Sequence, residues 1–471
     1  MKILLCSCIP FYDFWKEGGG VAVYVNNLIP ALSARGHDVS FLSYGFKTNP
    51  LKHAPYIRES HNPYPQTVCR SYDLINSPVP APSRTHPNNP QLSISPRLEL
   101  EQCIVGFIRK QGGYDIIHFH SLEGITPQVL KALRLAFPTT GIFYSAHDYH
   151  PFCVGIRLYQ EKNLSRCQCY HDGQTCLGCI SEYDARALQR HAAHYYKDPY
   201  NKVGMPGFLR KAIIRHSGKK KYTEIHRTQA SAQDYKAYRE TYIEHLNQYT
   251  DGILAVSRRV GQIYEHMGIT HRLINISYIG TKVAERQKGY QVTPGSLPLN
   301  ILFMGAATAP EKGFSFLLNA LASLSPETAA NLNLTIAAAG TDPQQLKECL
   351  KHLNGYKVYE GYTHDQLQDI MQNIHLGIVP VVWEDNLPQT AIEMVAHGVA
   401  ILASDAGGAS ELTTSAHFRF RCGDQSDFMT KLTQIIRQPD LLSEYWVGHS
   451  GLTTMQQHVE ELEHIYRKNQ P

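Results

Sequence analysis

Short apolar runs alternate with amphipathic stretches along most of the chain, and the two kinds differ in period. "KILLC" has the pattern of a buried strand, and "VAVYVNNLIPALSARGH" repeats its apolar residues at helical spacing up to a stop at Gly36. "DVSFLSY" reads as the next strand. Residues 49–97, with their core "NSPVPAPSRTHPNNP", predict a long irregular excursion. The alternation then resumes with a helix over 97–111, the strand "YDIIHFH", a helix over 126–136 and the strand "GIFYSAH". An insertion occupies about 150–248, Cys-rich at first and then basic and aromatic. After it, "DGILAV", "SRRVGQIYEHMG" and "RLINIS" return to strand, helix, strand.

The polar segment "ERQKGYQVTPGSLP", broken by Gly and Pro, has the composition of a linker. Beyond it "LNILFMG" begins a second series. "KGFSFLLNALASL" is helical, "NLTIAAAG" a strand, 343–353 and "HDQLQDIMQN" helical, "LGIVPV" a strand, 388–397 helical and "VAILAS" a strand. Two blocks of alternating strand and helix predict an α/β protein of two doubly wound, Rossmann-like domains facing each other across a cleft. The expected boundaries are 1–280 for the first domain, 281–298 for the linker, 299–455 for the second, and 456–471 for a C-terminal helix crossing back. Ligands in such folds bind outside the carboxyl ends of the strands, so the cleft is the expected site.

Composition narrows this picture. A length of 471 residues calls for more than one core, and 43% hydrophobic with 18% charged residues is ordinary for a globular chain. A net charge of +4 spread over that length gives no footing for nucleic-acid binding. "MKILLCSCIP" reads as a strand, and there is no apolar run long enough for a transmembrane helix, so a cytoplasmic location is expected.

In "VVWEDNLPQTAIEMVAHGVAILASDAGG" a strand ends in a loop that carries Asp385, and Glu393 lies in the helix that follows. Asp385 or Asn386 is placed to cap that helix, with Pro388 in its first turn and Gly398 as its stop. Asn386, Leu387, Pro388, Gln389 and Thr390 then surround a positive helix end suited to a diphosphate. In "FMGAATAPEKGF", Lys312 opens a helix where it can reach phosphate oxygens. The Gly-rich "EGGGV", Gly18 to Val21, allows close approach of a phosphate or sugar without the dinucleotide spacing. His147 ends a strand at the cleft, with Asp148 beside it to orient the ring.

Taken in order, "EGGGVAVYVNNLIPALSARGHDVSFLS", "YDIIHFHS", "SAHDYHPFC", "DGILAVSRRV", "APEKGF" and "WEDNLPQTAIEMVAHGVAILASDAGGASEL" resemble the retaining GT-B glycosyltransferases of family 4. The resemblance implies a nucleotide-sugar donor, UDP- or GDP-linked, held in the cleft. It places the family's acid pair on Asp385, at the transferred sugar, and Glu393, at the ribose. Asn386 to Thr390 would give amides to the diphosphate, Lys312 would neutralise the leaving group, His147 would sit beside the donor sugar, and Gly19 and Gly20 would approach the diphosphate. It implies front-face transfer, with the leaving diphosphate taking the acceptor's proton and no catalytic metal. Two positions depart from the pattern. Asp385 is one methylene shorter than the usual Glu, and Ala306 stands where an arginine is common, leaving Arg258 or Arg259 to compensate.

Cys176 and Cys179 have zinc-knuckle spacing, and a structural zinc on Cys153, Cys169, Cys176 and Cys179 is expected, with Cys167 as the alternative to Cys169. "GMPGFLRKAIIRHSGKKKY" mixes apolar and basic residues and suits either an anionic membrane surface or the protein body. The expected acceptor is a glycan or a lipid-linked sugar, in the assembly of bacterial surface polysaccharide or glycolipid. The competing readings are a nucleotide-sugar binder with little or no activity, an epimerase or phosphorylase on the same scaffold, and a nucleic-acid-binding zinc protein.

Overall fold

In a computed structural model of the chain, which describes residues 1–13, 19–79, 81, 89–168, 172–180, 190, 192–195, 206–209, 211–213, 230–286, 297–449 and 451–469, the strands form two separate sheets. The first contains β1 (Lys2–Ser7), β2 (Asp38–Ser43), β3 (Tyr56–Glu59), β4 (Arg70–Ile75), β5 (Ile116–Phe119) and β6 (Gly141–Ala146). A small hairpin, β7 (Tyr159–Gln160) with β8 (Ser165–Arg166), stands apart, and β9 (Gly252–Ala255) and β10 (Ile274–Ile276) complete the sheet. Its order is β10-β9-β6-β5-β1-β2-β4-β3, parallel except for the edge strand β3. The second sheet contains β11 (Leu299–Ala306), β12 (Leu332–Ala339), β13 (Gly355–Tyr359), β14 (Leu376–Val379), β15 (Ala400–Ser404) and β16 (Arg419–Phe420). All its pairs are parallel, in the order β13-β12-β11-β14-β15-β16.

The apolar runs become central strands because helices cover both faces, leaving no side for polar residues. β5, β6, β9 and β14 are buried along their whole length. Six strands escaped the sequence pattern: β3, β4, the β7–β8 hairpin, β13 and β16. β4 lies inside the 49–97 excursion and pairs with β2 through the register Ser40 to Arg70. β13, "GYKVY", is an edge strand with no buried side chain and so carries no apolar run.

Each domain has its own core, one around β1, β5 and β6 and one around β11, β14 and β15. The helix Met455–Asn469 belongs to the first core through Val459, Leu462 and Tyr466. Tyr466 packs on Phe143 at 4.9 Å and its hydroxyl bonds His118 Nδ1 at 2.7 Å. The Arg35 guanidinium donates to both Glu463 oxygens, at 2.8 and 2.9 Å. Chain passing out of the first domain at Thr281 runs beside chain returning at Thr454, linked by a parallel bridge. Among the described residues no helix is long and apolar enough to cross a membrane.

Candidate active site

In both sheets the strand order reverses beside the first strand, between β1 and β5 and between β11 and β14. Such switch points leave a crevice at the carboxyl ends of the strands, and here the two crevices face each other. The resulting cleft holds about 300 Å³. The second domain lines it with Gly305, Lys312, Trp383 and Asp385 to Thr390, the first with Gly20, Tyr24 and His147.

Lys312 Nζ donates to Asp385 Oδ2 at 2.7 Å and lies 5.0 Å from the centre of the Trp383 ring. The acid and the lysine singled out in the sequence thus meet each other. The shorter Asp side chain places its carboxylate on Lys312, which an arriving diphosphate would compete for. Two glycines make this approach possible. At Gly313 (φ +77) a Cβ would lie 1.8 Å from the Pro380 carbonyl oxygen, and at Gly407 (φ +82) 1.8 Å from that of Asp385. Gly407→Ala therefore has to displace the Asp385 backbone, and should lower unfolding stability by roughly 2 kcal/mol or more in urea titration. An unchanged midpoint would show that the loop yields freely.

The helix of the donor loop runs Gln389–Ala396, and its N-cap is Pro388, extended at φ −67 and ψ 128, with no side-chain cap. This corrects the expected cap at Asp385 or Asn386. Those side chains are turned elsewhere, Asp385 to Lys312 and Asn386 Nδ2 to the Ala146 carbonyl across the cleft at 3.2 Å. The uncapped first turn, Gln389 and Thr390, is left lining the cleft. Gln389 Nε2 also donates to the Gly20 carbonyl at 2.7 Å, joining the donor helix to the glycine loop. Gly19 has φ +52, and Gly18 lies outside the described residues.

Glu393 is buried and lines an adjoining hollow of about 520 Å³ with Asn26, Asn27, Thr363 and Asp365. Tyr24 and Gln389 are common to the hollow and the cleft. Arg258 lies outside both. It opens the helix Arg258–His266, whose first amides are taken by Glu411, and it lines a separate recess with Tyr278 and Glu411. Arg259 is bound to Glu384 at 2.5 and 2.9 Å. Neither arginine therefore stands in the cleft for the one absent at Ala306, and Lys312 is the lone Lys or Arg among the described residues lining it.

His147 is held by another histidine rather than by Asp148. His147 Nε2 meets His120 Nδ1 at 3.2 Å, while Asp148 Oδ1 accepts from the His150 amide at 2.8 Å. The His118 ring lies tilted against that of His120 with centres 4.3 Å apart, and His458 Nε2 bonds the Tyr24 hydroxyl at 2.7 Å. Burial holds His147 down at about 3 and His458 at about 4, and His118 and His120 well below the ordinary value. All four rings are neutral at pH 7, so His147 offers hydrogen bonding and no charge. Asp148 is pushed the other way, up to about 7, by burial and by the neighbouring Glu123.

Among the described residues no group of three or more His, Cys, Asp or Glu is arranged to hold a metal ion, and Cys169 lies outside them. Burial raises Cys176 to about 11 and Cys179 to about 12, helped by Cys153 and Cys167. Cys176 Sγ accepts from the buried Arg239 guanidinium at 2.6 Å. Of the basic segment, Arg210 and residues 214–221 lie outside the described residues, while Phe208 and Leu209 are exposed.

Residues 18–194 match the family model Glycosyltransferase Family 4, and 298–438 match Glycosyl transferases group 1. The chain is a glycosyltransferase of this family. No curated protein matches the glycosyltransferase in sequence. Its fold is that of solved GT-B structures: sucrose-phosphate synthase from Thermosynechococcus elongatus (15% identity, TM-score 0.56, 99% and 97% of the two chains) and Anabaena HepE in complex with UDP (13%, 0.56, 99% and 100%). Trehalose-6-phosphate from E. coli bound with UDP-2-fluoro glucose is similar at 14% identity and TM-score 0.52, over 99% and 96% of the chains.

Sequence reasoning about the glycosyltransferase passed over Tyr24, Glu311 and Glu384. Glu311 and Glu384 stand next to Lys312 and Asp385 inside motifs already singled out, and both are buried. A charged residue immediately beside each residue already singled out was the available signal.

Proposed function

We propose that the glycosyltransferase moves a sugar from a nucleotide-sugar to a glycan or lipid-linked acceptor, with retention at the anomeric carbon. The observation that carries this reading is Lys312 on Asp385 at 2.7 Å, at the foot of an uncapped helix N-terminus. A cation and free amides directed at one place suit a leaving diphosphate, whose charge grows as the bond to the sugar breaks. The acceptor oxygen forms its bond to the anomeric carbon on the face the diphosphate leaves, and the diphosphate takes the acceptor's proton. Asp385 and neutral His147 would hold sugar hydroxyls, and Glu393 would accept from the ribose in the adjoining hollow. A uridine donor is favoured because the similar structures include complexes named for UDP and UDP-2-fluoro glucose. Assembly of a bacterial surface polysaccharide or glycolipid is the setting proposed, with the exposed Phe208 and Leu209 near a membrane-borne acceptor.

A panel of UDP-, GDP- and other nucleotide-sugars in a thermal-shift assay tests the donor, since ligand bound to the native state raises the midpoint. Stabilisation by none of them would overturn the reading. Glu393→Ala should weaken the selected nucleotide about tenfold to a hundredfold, as loss of a charged hydrogen-bond acceptor implies; calorimetric titration reads this, and unaltered affinity would remove Glu393 from the ribose. A non-catalytic binder is the second reading, favoured by the absence of any arginine among the described residues lining the cleft. Nucleotide stabilisation without sugar transfer would select it.

A further inference from the structure

The Cys-rich insertion departs from the first domain after β6 and returns to it. Cys153, Cys167, Cys176 and Ile180 pack on the first core, and Arg239 Nε, from the helix Ala232–Tyr249, donates to the Phe152 carbonyl at 2.8 Å. From this anchored base two arginines cross to the second domain. Arg157 binds Glu311, and Arg166 Nη1 lies 3.2 Å from Glu384 Oε1. Glu311 immediately precedes Lys312, and Glu384 immediately precedes Asp385. The insertion therefore grips both members of the Lys312–Asp385 pair one residue away.

Three further observations show that the grip is built. Glu384 is fully buried and is also held by Arg259 at 2.5 and 2.9 Å and by the Gly407 amide at 3.2 Å. Glu311 is buried, and its carbonyl accepts from the Val382 amide at 3.0 Å, which ties the Lys312 turn to the Trp383–Asp385 loop. Arg157 itself stands between Ile156 at φ +60 and Leu158 at φ +48. A left-handed backbone is unfavourable for leucine and more so for β-branched isoleucine, and it persists only where the surroundings enforce it. Arg157 also splits its fork, with Nη2 2.5 Å from Glu161 Oε1, so its guanidinium is fixed from its own hairpin before it crosses.

We propose that the Cys-rich insertion is a positioning arm, in which Arg157 acting through Glu311, and Arg166 with Arg259 of the first domain acting through Glu384, set the Lys312–Asp385 pair in place across the cleft. Removing Arg157 leaves the buried Glu311 carboxylate unpaired, and the peptide that carries it must move to reach water, whereas Glu384 keeps Arg259 and the Gly407 amide when Arg166 is removed. Motion at Glu311 displaces Lys312 directly, and the 381–387 loop through the Val382 amide. The arm's importance for catalysis rests on the transferase reading; the mechanical coupling does not.

The test is hydrogen–deuterium exchange on the full chain and on Arg157→Ala, Arg157→Lys and Glu311→Gln. Amides in 310–313 and 381–387 should exchange at least tenfold faster in Arg157→Ala and Glu311→Gln, and return towards the native rate in Arg157→Lys. Amides of β12 should be unchanged, and Arg35→Ala, which breaks an ion pair at the far side of the first domain, should leave both segments alone. Unchanged exchange in the two segments, or acceleration spread evenly over the second domain, would overturn the proposal. A UDP titration of the native chain run in parallel judges the nucleotide reading by itself. If UDP binds, release of UDP from UDP-glucose by Arg157→Ala should show kcat reduced about tenfold or more, with a smaller change in KM; loss confined to KM would also count against the arm.

Discussion

Lys312→Ala should slow sugar transfer about a hundredfold to a thousandfold, with a smaller loss of nucleotide affinity. Lys312 is the one Lys or Arg among the described residues lining the cleft, and no arginine stands in for the one replaced by Ala306. A preorganised donor at developing charge contributes about 2.7–4 kcal/mol to the transition state, and the ground-state diphosphate uses only part of it. Lys312→Arg should recover little, because a planar fork cannot take the place of a point charge set 2.7 Å from Asp385 and 5.0 Å from the Trp383 ring. Asp385→Ala should also lower transfer while sparing nucleotide affinity, since Lys312 loses its partner and the sugar loses a hydroxyl acceptor. Steady-state release of nucleotide from the donor selected by thermal shift measures each case. Near-native kcat in Lys312→Ala would remove leaving-group stabilisation from this residue.

The second large effect is on stability below neutral pH. His118, His120, His147 and His458 are fully buried and depressed, the last two to about 3 and about 4. In the unfolded chain each takes up a proton as pH falls through about 6.5, and in the folded chain none does until far lower. The stability that depends on their neutrality is therefore complete above pH 6.5 and is lost as pH falls towards 4. Asp148 opposes them, because its folded carboxyl titrates at about 7 and already holds a proton that the unfolded chain takes up only near 3.8. Glu463, held at about 2 by Arg35 and His37, adds its loss only below pH 4.5. Between pH 6 and 5 the four histidines less Asp148 leave three protons, or roughly 4 kcal/mol per pH unit. Against a typical total of about 5–15 kcal/mol, that predicts unfolding at roughly pH 5 for the lower end of the range and roughly pH 4 or below for the upper. Urea midpoints at pH 8, 7, 6 and 5.5 should fall steeply over the last two steps, and His458→Gln should flatten the fall by about one proton. A midpoint constant to pH 5 would mean that these rings accept protons in the folded state.

The fold was legible because its causes are local. Parallel strands covered on both faces must be continuous apolar runs, and the helices between them must carry an amphipathic period, so the two-block α/β architecture followed from the spacing of apolar residues. The misses have the same origin. β4 sits within a Pro- and Asn-rich excursion, and β13 is an exposed edge, so neither meets the condition that makes a strand conspicuous. Gly407 and Gly313 were visible as glycines, but the backbone approach that each one permits belongs to a different segment.

By itself the sequence determined the fold class and a set of residues around the 383–393 loop that the structure gathers along one cleft and its adjoining hollow. Only the tertiary structure decided which charges are available there. Lys312 and Asp385 are 73 positions apart and meet at 2.7 Å, Arg259 is committed to Glu384, and Arg258 is turned to another recess. It also decided that His147 leans on His120 and that the Cys-rich insertion reaches the acids beside the Lys312–Asp385 pair. The physical reason is one of range. Periodicity and capping act over a few residues and are written in the chain, whereas the pairing of buried charges depends on which surfaces two folded domains bring together.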